Sequence, residues 1–469
     1  MSNGALTQLV AVGAQDTNFL SNDIKDSLFQ ESNKKITNFA KSTETMIAQG
    51  NANWGNTIKF KIEKKGDLLS SMYLAVELPD VYPYHFDESL RDSSNYFRWS
   101  NYIGNLLVEN IKFFINGQLI DEQTGEFQQI YTDLYDDDWN KLCMLGMDGN
   151  LTIPYSIDGD NIVLESTTLY IPIKFWFCNN ISKALPVIAL QYSDLEVEVK
   201  LRKFDECFLL LQQYNGTIRG THQDYFVNIK KEHTVNQIDL KNVKLDCNFI
   251  YLDSDERKKI AQKEHKILIT QTQRIECSVQ QSKSIELNFN HPVKEMFFFI
   301  RNNNHIEYGE GFNFKNKPEY MPNFVYEIIN TNSDLDIHDY YYGGDRHNLD
   351  QARILINSHP RVNWHNWKYY YYVQNYENYR NKLEHFVYLY SFGTNVKSLT
   401  PSGSLNFSRI DNAQLQIKMS DYSKKIIKPF LPADKSNLLD DSQYTTNIYA
   451  VNYNYLIIKG GMAGLEFSN

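Results

Sequence analysis

Hydrophobic and polar residues alternate along much of this chain, and the clearest run is Leu169–Arg202, LYIPIKFWFCNNISKALPVIALQYSDLEVEVKLR. Leu169, Ile171, Ile173, Phe175 and Phe177 interleave with Tyr170, Pro172, Lys174 and Trp176, the period of two expected of a strand with one buried face. After a break at Cys178–Lys183 and an apolar run Leu185–Leu190, the alternation returns. Leu195, Val197, Val199 and Leu201 take one face, and Glu196, Glu198, Lys200 and Arg202 the other. Such segments are unstable alone and need a second sheet over their apolar faces.

The same grammar occurs elsewhere. Ile58, Phe60 and Ile62 point inward from a strand over Thr57–Glu63. Lys64–Asp67 turns the chain, and Met72, Leu74, Val76 and Leu78 form a second set ended by Pro79-Asp80. Ile111, Phe113 and Ile115 alternate up to Asn116-Gly117, the strongest hairpin signal in the chain. Tyr131–Trp139 is acidic and aromatic and reads as a short helix, Phe204–Asp224 is looser, and Val243–Asp253 closes the half as a strand. Asp253–His265, DSDERKKIAQKEH, differs from its surroundings: Asp253 with Glu256 three residues on is an N-cap pairing, so a solvent-facing linker helix and a domain boundary are predicted.

Beyond it the strands restart, with Ile275, Cys277 and Val279, then Ile285, Leu287 and Phe289, a His291-Pro292 turn, and a buried strand carrying Met296 to Ile300. Ser284–Arg301 repeats the strand–turn–strand layout of Thr57–Leu78, and Ile448–Ile458 closes the second half as Val243–Asp253 closes the first. Two β domains of similar build are the simplest account. Residues 302–385, rich in Asn and Tyr, with Tyr340–Tyr342 and Tyr369–Tyr372, are expected to form long surface loops. Residues 1 to about 30, polar apart from Leu9–Val12, read as an arm.

Composition narrows the function. At 469 residues two or three domains are expected. A net charge of −10 gives no bulk electrostatic help with nucleic acid. The 32 Tyr and 27 Phe favour strands and extensive interfaces. Cys143, Cys178, Cys207, Cys247 and Cys277 show no CxxC pair and read as reduced, mostly buried thiols. The start lacks a basic n-region, and nothing approaches the ~18 consecutive apolar residues of a membrane helix, so a soluble chain is expected.

Candidate chemistry is sparse. There is no GxxxxGK[ST], HExxH or GxSxG, and Gly309-Glu310-Gly311 lacks the third glycine of a dinucleotide loop. Asp136-Asp137-Asp138 reads as a solvated loop or helix start rather than a metal cluster. The six-residue spacing of His359 and His365 fits no common ligand motif. Sequons at Asn150, Asn180, Asn215 and Asn406 read as unmodified by a secretory route. Exposed tyrosines fit subunit contacts, or a surface on which sugars stack.

Several stretches resemble the double jelly-roll major capsid proteins of nucleocytoplasmic large DNA viruses. They are GALTQLVAVGAQD with Ile36–Ala40 near the start, LYIPIKFWF…ALPVIALQY, the junction FIYLDSDERKKIAQKEHKILI, LNFNHPVKE, PSGSLNFSRIDNAQL at Pro401–Leu415, and YAVNYNYLIIKGGMAGLEFSN at Tyr449–Asn469. DSLFQESNKK and residues 302–385 depart from the family pattern. The resemblance implies an all-β chain of two consecutive eight-stranded jelly rolls with short helices in loops and linker. An arm at 1–29 precedes a first roll at 30–253, a linker helix at 254–265, and a second roll at 266–469 bearing the 302–385 loops.

The implied function is structural: a homotrimer forming pseudo-hexameric capsomers that tile an icosahedral shell, with no catalytic, cofactor-binding or metal-binding residue. Implied partners are further copies, neighbouring capsomers, penton and minor capsid proteins beneath the shell, and an internal membrane nearby, with no direct nucleic-acid contact. The implied location is the virion, with assembly in the host cytoplasm. The arm is expected to face the shell interior. The competing reading is a jelly-roll carbohydrate-binding protein. Gly460, Gly461 and Gly464, directly after a strand, are expected to supply positive φ or close backbone approach.

Overall fold

A computed structural model describes residues 7, 8, 10–15, 36–136, 144–147, 151–159, 161–218, 221–230, 233, 235–316, 318–322, 347–420 and 444–467. Two units separate, Met1–Phe39 and Ala40–Asn469. In the first, a helical turn is closed by the Ala11 N–H donating to Thr7 O at 2.8 Å, and most of the expected arm lies outside the described residues.

In the second unit eight strands build one sandwich: Phe39–Ile47 (β1), Thr57–Lys61 (β2), Leu68–Leu78 (β3), Val108–Ile115 (β4), Gln118–Thr124 (β5), Thr167–Pro172 (β6), Leu195–Leu201 (β7) and Lys241–Leu252 (β8). They form two four-stranded sheets, β1-β8-β3-β6 and β2-β7-β4-β5. Inward positions are those that the alternation marks: Ile58 and Phe60, Leu74 and Val76, Ile111 and Phe113, Val197 and Val199 are all buried in one core. The two apolar faces cover each other, which is why neither sheet is viable alone.

Eight further strands follow: His265–Val279 (β9), Ser282–Glu286 (β10), Pro292–Asn302 (β11), Leu349–Ile356 (β12), His359–Asn366 (β13), Tyr388–Ser391 (β14), Ala413–Met419 (β15) and Tyr444–Lys459 (β16). Their sheet orders are β9-β16-β11-β14 and β10-β15-β12-β13. Adding eight to each label of the first sandwich gives the second. The chain therefore holds two jelly rolls of one topology, each with its own core.

Turn chemistry explains several boundaries. Asn116 and Gly117 both have positive φ, 51° and 74°, the backbone of the two-residue turn joining β4 to β5. Asp253 caps the helix Ser254–Gln262, its Oδ1 accepting from Ser254 N at 2.8 Å. At the C-terminal end, β16 folds back through Gly460 and Gly461 (φ 60° and 81°) onto the short strand Met462–Leu465. The Gly461 carbonyl accepts from Tyr192 N at 2.9 Å and Ser193 Oγ at 3.3 Å, fastening the end of the second roll to the first.

Four expectations are corrected. β6 stops at Pro172, and Ile173–Phe177 leave the strand as turns with both alternating sets buried, Lys174 and Trp176 included. The helix expected at Tyr131–Trp139 lies earlier, at Gly125–Tyr135 (α1), with residues 137–139 outside the described set. The looser segment Phe204–Asp224 is a hairpin, Phe208–Ile218 with Thr221–Asn228, in a five-stranded sheet with Asn95–Trp99, Tyr155–Ser156 and Met321–Pro322. Residues 302–385 are not loops throughout, because they contain β12 and β13; residues 323–346 lie outside the described set.

Gly461→Val tests the C-terminal turn. A Cβ at Gly461 meets Tyr192 Cδ2 at 2.6 Å on a positive-φ backbone, so the substitution is expected to cost about 1–3 kcal/mol as a lower urea midpoint. Gly464→Ala serves as the control, since a Cβ there has only ordinary contact with Gln118 Oε1 at 3.6 Å.

Candidate functional site at the junction of the two rolls

The residues with the most unusual chemistry lie where α1 of the first roll meets the outer face of the β9-β16-β11-β14 sheet. Thr124 ends β5 and caps α1, its Oγ1 accepting from Phe127 N at 3.2 Å. Gly125 follows because nothing larger fits. A Cβ there would lie 2.2 Å from Asn105 O and 2.3 Å from Val108 O. Phe127, Ile130 and Leu134 then point from one face of the helix into a cluster with Phe297, Phe299, Tyr449 and Val451. Phe127 sits 5.6 Å from Phe297 and 5.8 Å from Tyr449 between ring centroids. The cluster is a third apolar core, belonging to neither sandwich.

Charge is buried beside it. Glu126 Oε1 lies 3.1 Å from Arg202 Nη2 and 3.1 Å from Arg301 Nη1, with all three side chains about 5–6% exposed. Burial by itself raises the Glu126 pKa, but the guanidiniums of Arg202, Arg301 and Arg274 outweigh it and hold the carboxyl down at about 2. Arg202 also donates to Leu106 O at 2.9 Å, and Arg301 to Gly311 O at 2.8 Å. One carboxylate thus joins the first roll (Arg202) to the second (Arg301). Arg202 corrects its sequence assignment: it continues the polar face of β7 yet is buried, because the junction covers it.

Further polar bonds cross the same junction. Glu295, buried in β11, accepts from Tyr135 Oη at 2.6 and 2.8 Å and from Tyr379 Oη, and pairs with Lys294 Nζ at 2.9 Å. His385 Nδ1 lies 2.6 Å from Asp133 Oδ2, and Thr124 Oγ1 lies 2.6 Å from Tyr449 Oη. At the sheet edges, Asp121 Oδ1 of β5 accepts from Thr272 N of β9 at 2.8 Å, while Gln271 donates to Ile120 O. Burial pushes the Asp121 carboxyl up to about 7 against these hydrogen bonds. A cleft of about 350 Å³ opens beside this contact, lined by Trp176, Pro172, Asn179 and Asn180 with Lys183, Lys294 and Tyr453. The break after Phe177 thus borders a cleft between the rolls.

The sequence candidates are not gathered into one place. Asp136 pairs with Lys174 at 2.6 Å, while Asp137 and Asp138 lie outside the described residues. His359 and His365 stand on β13, an edge strand, with His365 4.4 Å from the Tyr369 ring. Among the described residues no group of three His, Cys, Asp or Glu side chains is arranged to hold a metal. Gly309-Glu310-Gly311 is a loop in which Glu310 accepts from Glu319 N at 2.7 Å and Asn313 Nδ2 at 2.8 Å. Burial and the neighbouring Glu319 push Glu310 up to about 7. Asn180 and Asn406 use their side chains as caps, accepting from Ser182 N at 2.8 Å and Ser408 N at 3.1 Å. Asn150 lies outside the described residues, as does the side chain of Asn215. Burial raises the Cys207 and Cys247 thiols to about 12.

Two family profiles match consecutive parts of the chain: "Major capsid protein N-terminus" over residues 27–253 and "Large eukaryotic DNA virus major capsid protein" over 256–464. The chain belongs to the major capsid proteins of large eukaryotic DNA viruses. The major capsid protein of Phaeocystis pouchetii virus is 28% identical, covering 99% of this chain and 100% of its own. That of Paramecium bursaria Chlorella virus 1 is also 28% identical, with 99% and 100% covered. Among solved structures, PBCV-1 VP54, fitted into a reconstruction of the virophage Sputnik, aligns with TM-score 0.70 at 25% identity, covering 94% of this chain and 100% of that one. The Faustovirus major capsid protein shares the fold at TM-score 0.62 and 13% identity. The residues described above are those that fix one roll against the other.

Two measurements probe the junction. Glu126→Gln leaves two buried guanidiniums without their carboxylate and is expected to lower stability by about 3–5 kcal/mol at pH 7. The pH profile has two limbs of opposite sign. Glu126, with a depressed pKa, contributes stability that is present above about 4.5 and lost as pH falls towards 2. Asp121, with a raised pKa, binds its proton more tightly when folded, so its cost grows from about pH 4 and is complete above about 7. The two contributions cross at about pH 4, and the midpoint difference between Asp121→Asn and wild type should move in the variant's favour as pH rises from about 4 to about 7.

Proposed function

We propose that this capsid protein forms a homotrimer whose six rolls give a pseudo-hexameric capsomer that tiles an icosahedral shell. The observation that carries the reading is the repetition of one eight-stranded topology twice in the chain, with the two rolls locked by a buried junction. Three such chains around a three-fold axis present six similar walls, and a closed ring needs only head-to-tail contacts. Jelly rolls suit dense packing because two sheets face to face hide most of their backbone edges.

On this reading the chain is divided into an arm at 1–29, a first roll at 30–253, a linker helix at 254–265 and a second roll at 266–469. Its work is done by contact area and shape, with no catalytic residue, cofactor or metal. The partners are other copies, neighbouring capsomers, penton and minor capsid proteins and a nearby internal membrane, not nucleic acid, and assembly takes place in the host cytoplasm. The arm faces the shell interior.

Sedimentation velocity tests the trimer: the 54.9 kDa chain should run as a discrete species of three times that mass and assemble further. A monomer at micromolar concentration overturns the reading. For the arm, residues 1–25 should resist protease in intact particles and be cleaved once particles are opened; cleavage in intact particles refutes the interior placement.

A further inference from the structure

The junction inside the chain uses one partner surface from each roll, and among the described residues most of a second surface of each kind lies outside it, Tyr73 at its edge bordering the cleft between the rolls. The first roll supplies a donor, β5 with α1 behind it. The second supplies an acceptor, the first strand β9 and the outer face of its sheet. Because the rolls share a topology, the second roll has its own donor, β13 and the helical segment after it (a π-helix Tyr369–Val373 running into an α-helix Gln374–Asn378), and the first roll has its own acceptor, β1 and the outer face of β1-β8-β3-β6.

The donors can be placed in register from the ends of β5 and β13, Thr124 and Asn366. Four residues before those ends, Ile120 and Val362 are each buried in the core of their own roll. The sixth, seventh and tenth residues after them are Ile130, Tyr131 and Leu134 in the first roll and Tyr372, Val373 and Tyr376 in the second. The first three pack in the junction. The second three are 56%, 41% and 73% exposed among the described residues, with Arg380 against the edge of the patch, 5.8 Å from the Tyr376 ring centroid. At equal distances from the strand ends, residues that pack in the junction in one half of the chain are exposed, among the described residues, in the other.

The acceptors align as well. β3 and β11 are both 11 residues long, and Met72, Leu74 and Val76 point inward at the positions of Met296, Phe298 and Ile300. The outward positions are then Tyr73, Ala75 and Glu77 in the first roll, against Phe297, Phe299 and Arg301 in the second. Arg301 is the residue that pairs across the internal junction with Glu126, the second residue after β5. Its counterpart on the second acceptor is Glu77, half-buried with Oε2 accepting from Asn242 Nδ2, and the counterpart of Glu126 on the second donor is Lys368, which is exposed. Both members of the pair are reversed in sign, so their complementarity is kept.

We infer that the Tyr372–Val373–Tyr376 face of the second roll docks on the outer face of the β1-β8-β3-β6 sheet of a second copy of this chain, with Lys368 pairing to Glu77 across the contact. The inference rests on the trimer reading and names the surfaces that close the ring. The reversed charges also keep the two junctions from being exchanged, since the internal donor carries Glu126 and is repelled by Glu77. The lower apolar content of this acceptor fits a contact made between chains that are folded and soluble before they meet.

A charge exchange tests the pairing. Lys368→Glu and Glu77→Lys are each expected to raise the trimer dissociation constant at least about tenfold, read by sedimentation across a dilution series. The double variant should return it to near the wild-type value. Tyr372→Asp with Tyr376→Asp should yield monomer, while circular dichroism stays unchanged because both side chains are exposed in the single chain. Trimers that persist in all of these variants overturn the inference and leave the trimer reading standing, as does a double exchange that recovers nothing. A wild-type protein that is itself monomeric overturns the trimer reading instead. In a mixture of isotope-labelled and unlabelled copies, cross-links from Lys368 to Lys41 or Lys244 should join heavy to light chains; their confinement to single chains also counts against the contact.

Discussion

β11 is buried on both faces, and the arrangement of the chain follows from that constraint. Met296, Phe298 and Ile300 fill the core of the second roll, while Phe297, Phe299 and Arg301 lie beneath α1 of the first. A sheet with one solvated face can stand as half of an independent sandwich, but a sheet apolar on both faces needs a cover on each. The second roll therefore presents phenylalanine to water unless the first roll is beside it. Burial of the aromatic cluster supplies the free energy of the contact. The Glu126–Arg202–Arg301 group orients it, because a carboxylate shared between two buried guanidiniums tolerates little displacement before a charge is left unpaired.

How much of this was legible in the sequence depended on whether the partner of a residue was local. The Asn116-Gly117 turn, the Asp253 cap and the inward residues of β2, β3, β4 and β7 follow from near neighbours, and the alternation marks them correctly. The consecutive apolar run Met296–Ile300 reads as a buried strand, but the run alone does not say that a helix some 160 residues earlier provides half the burial. Arg202 fails for the same reason. Parity places it on a polar face, and only the junction shows that this face is covered. β12 and β13 were hidden in the Tyr-rich region because β13 is an edge strand, exposed on most positions, so the alternation that reveals a half-buried strand is weak there. Ile173–Phe177 alternates but is not strand: Ile173, Phe175, Trp176 and Phe177 all lie in the core of the first roll, and the intervening Lys174 is buried against Asp136.

Among the candidate site residues the same division holds. Burial of Cys207 and Cys247 follows the expectation from composition, while Cys178 and Cys277 are only half-buried; Glu126, Glu295 and Asp121 gave no signal. Each is one acid within an otherwise ordinary helix or strand, and each matters through groups far along the chain: Arg301 for Glu126, Tyr135 for Glu295, Thr272 for Asp121. The one feature that could have exposed them is an acid or arginine placed where an amphipathic element should show its apolar face.

The two rolls keep the same inward chemistry and differ on their outer sheet faces, and the difference follows from how each face meets its neighbour. A contact within one chain forms at high effective concentration and never has to exist open in solution, so it can be dry, aromatic and held by fully buried ions. A contact between chains must be open while each copy folds and diffuses, and an exposed Phe297–Phe299 equivalent would then be an aggregation site. Tyr73, Ala75 and Glu77 on the first roll, and tyrosine in place of isoleucine and leucine on the second-roll helix, are what a surface of that second kind requires. Tyrosine buries a large ring when covered and hydrogen-bonds to water when it is not. On the proposed contact, one topology serves both a permanent junction and an assembly surface, the distinction carried by a few outward side chains and the sign of one ion pair.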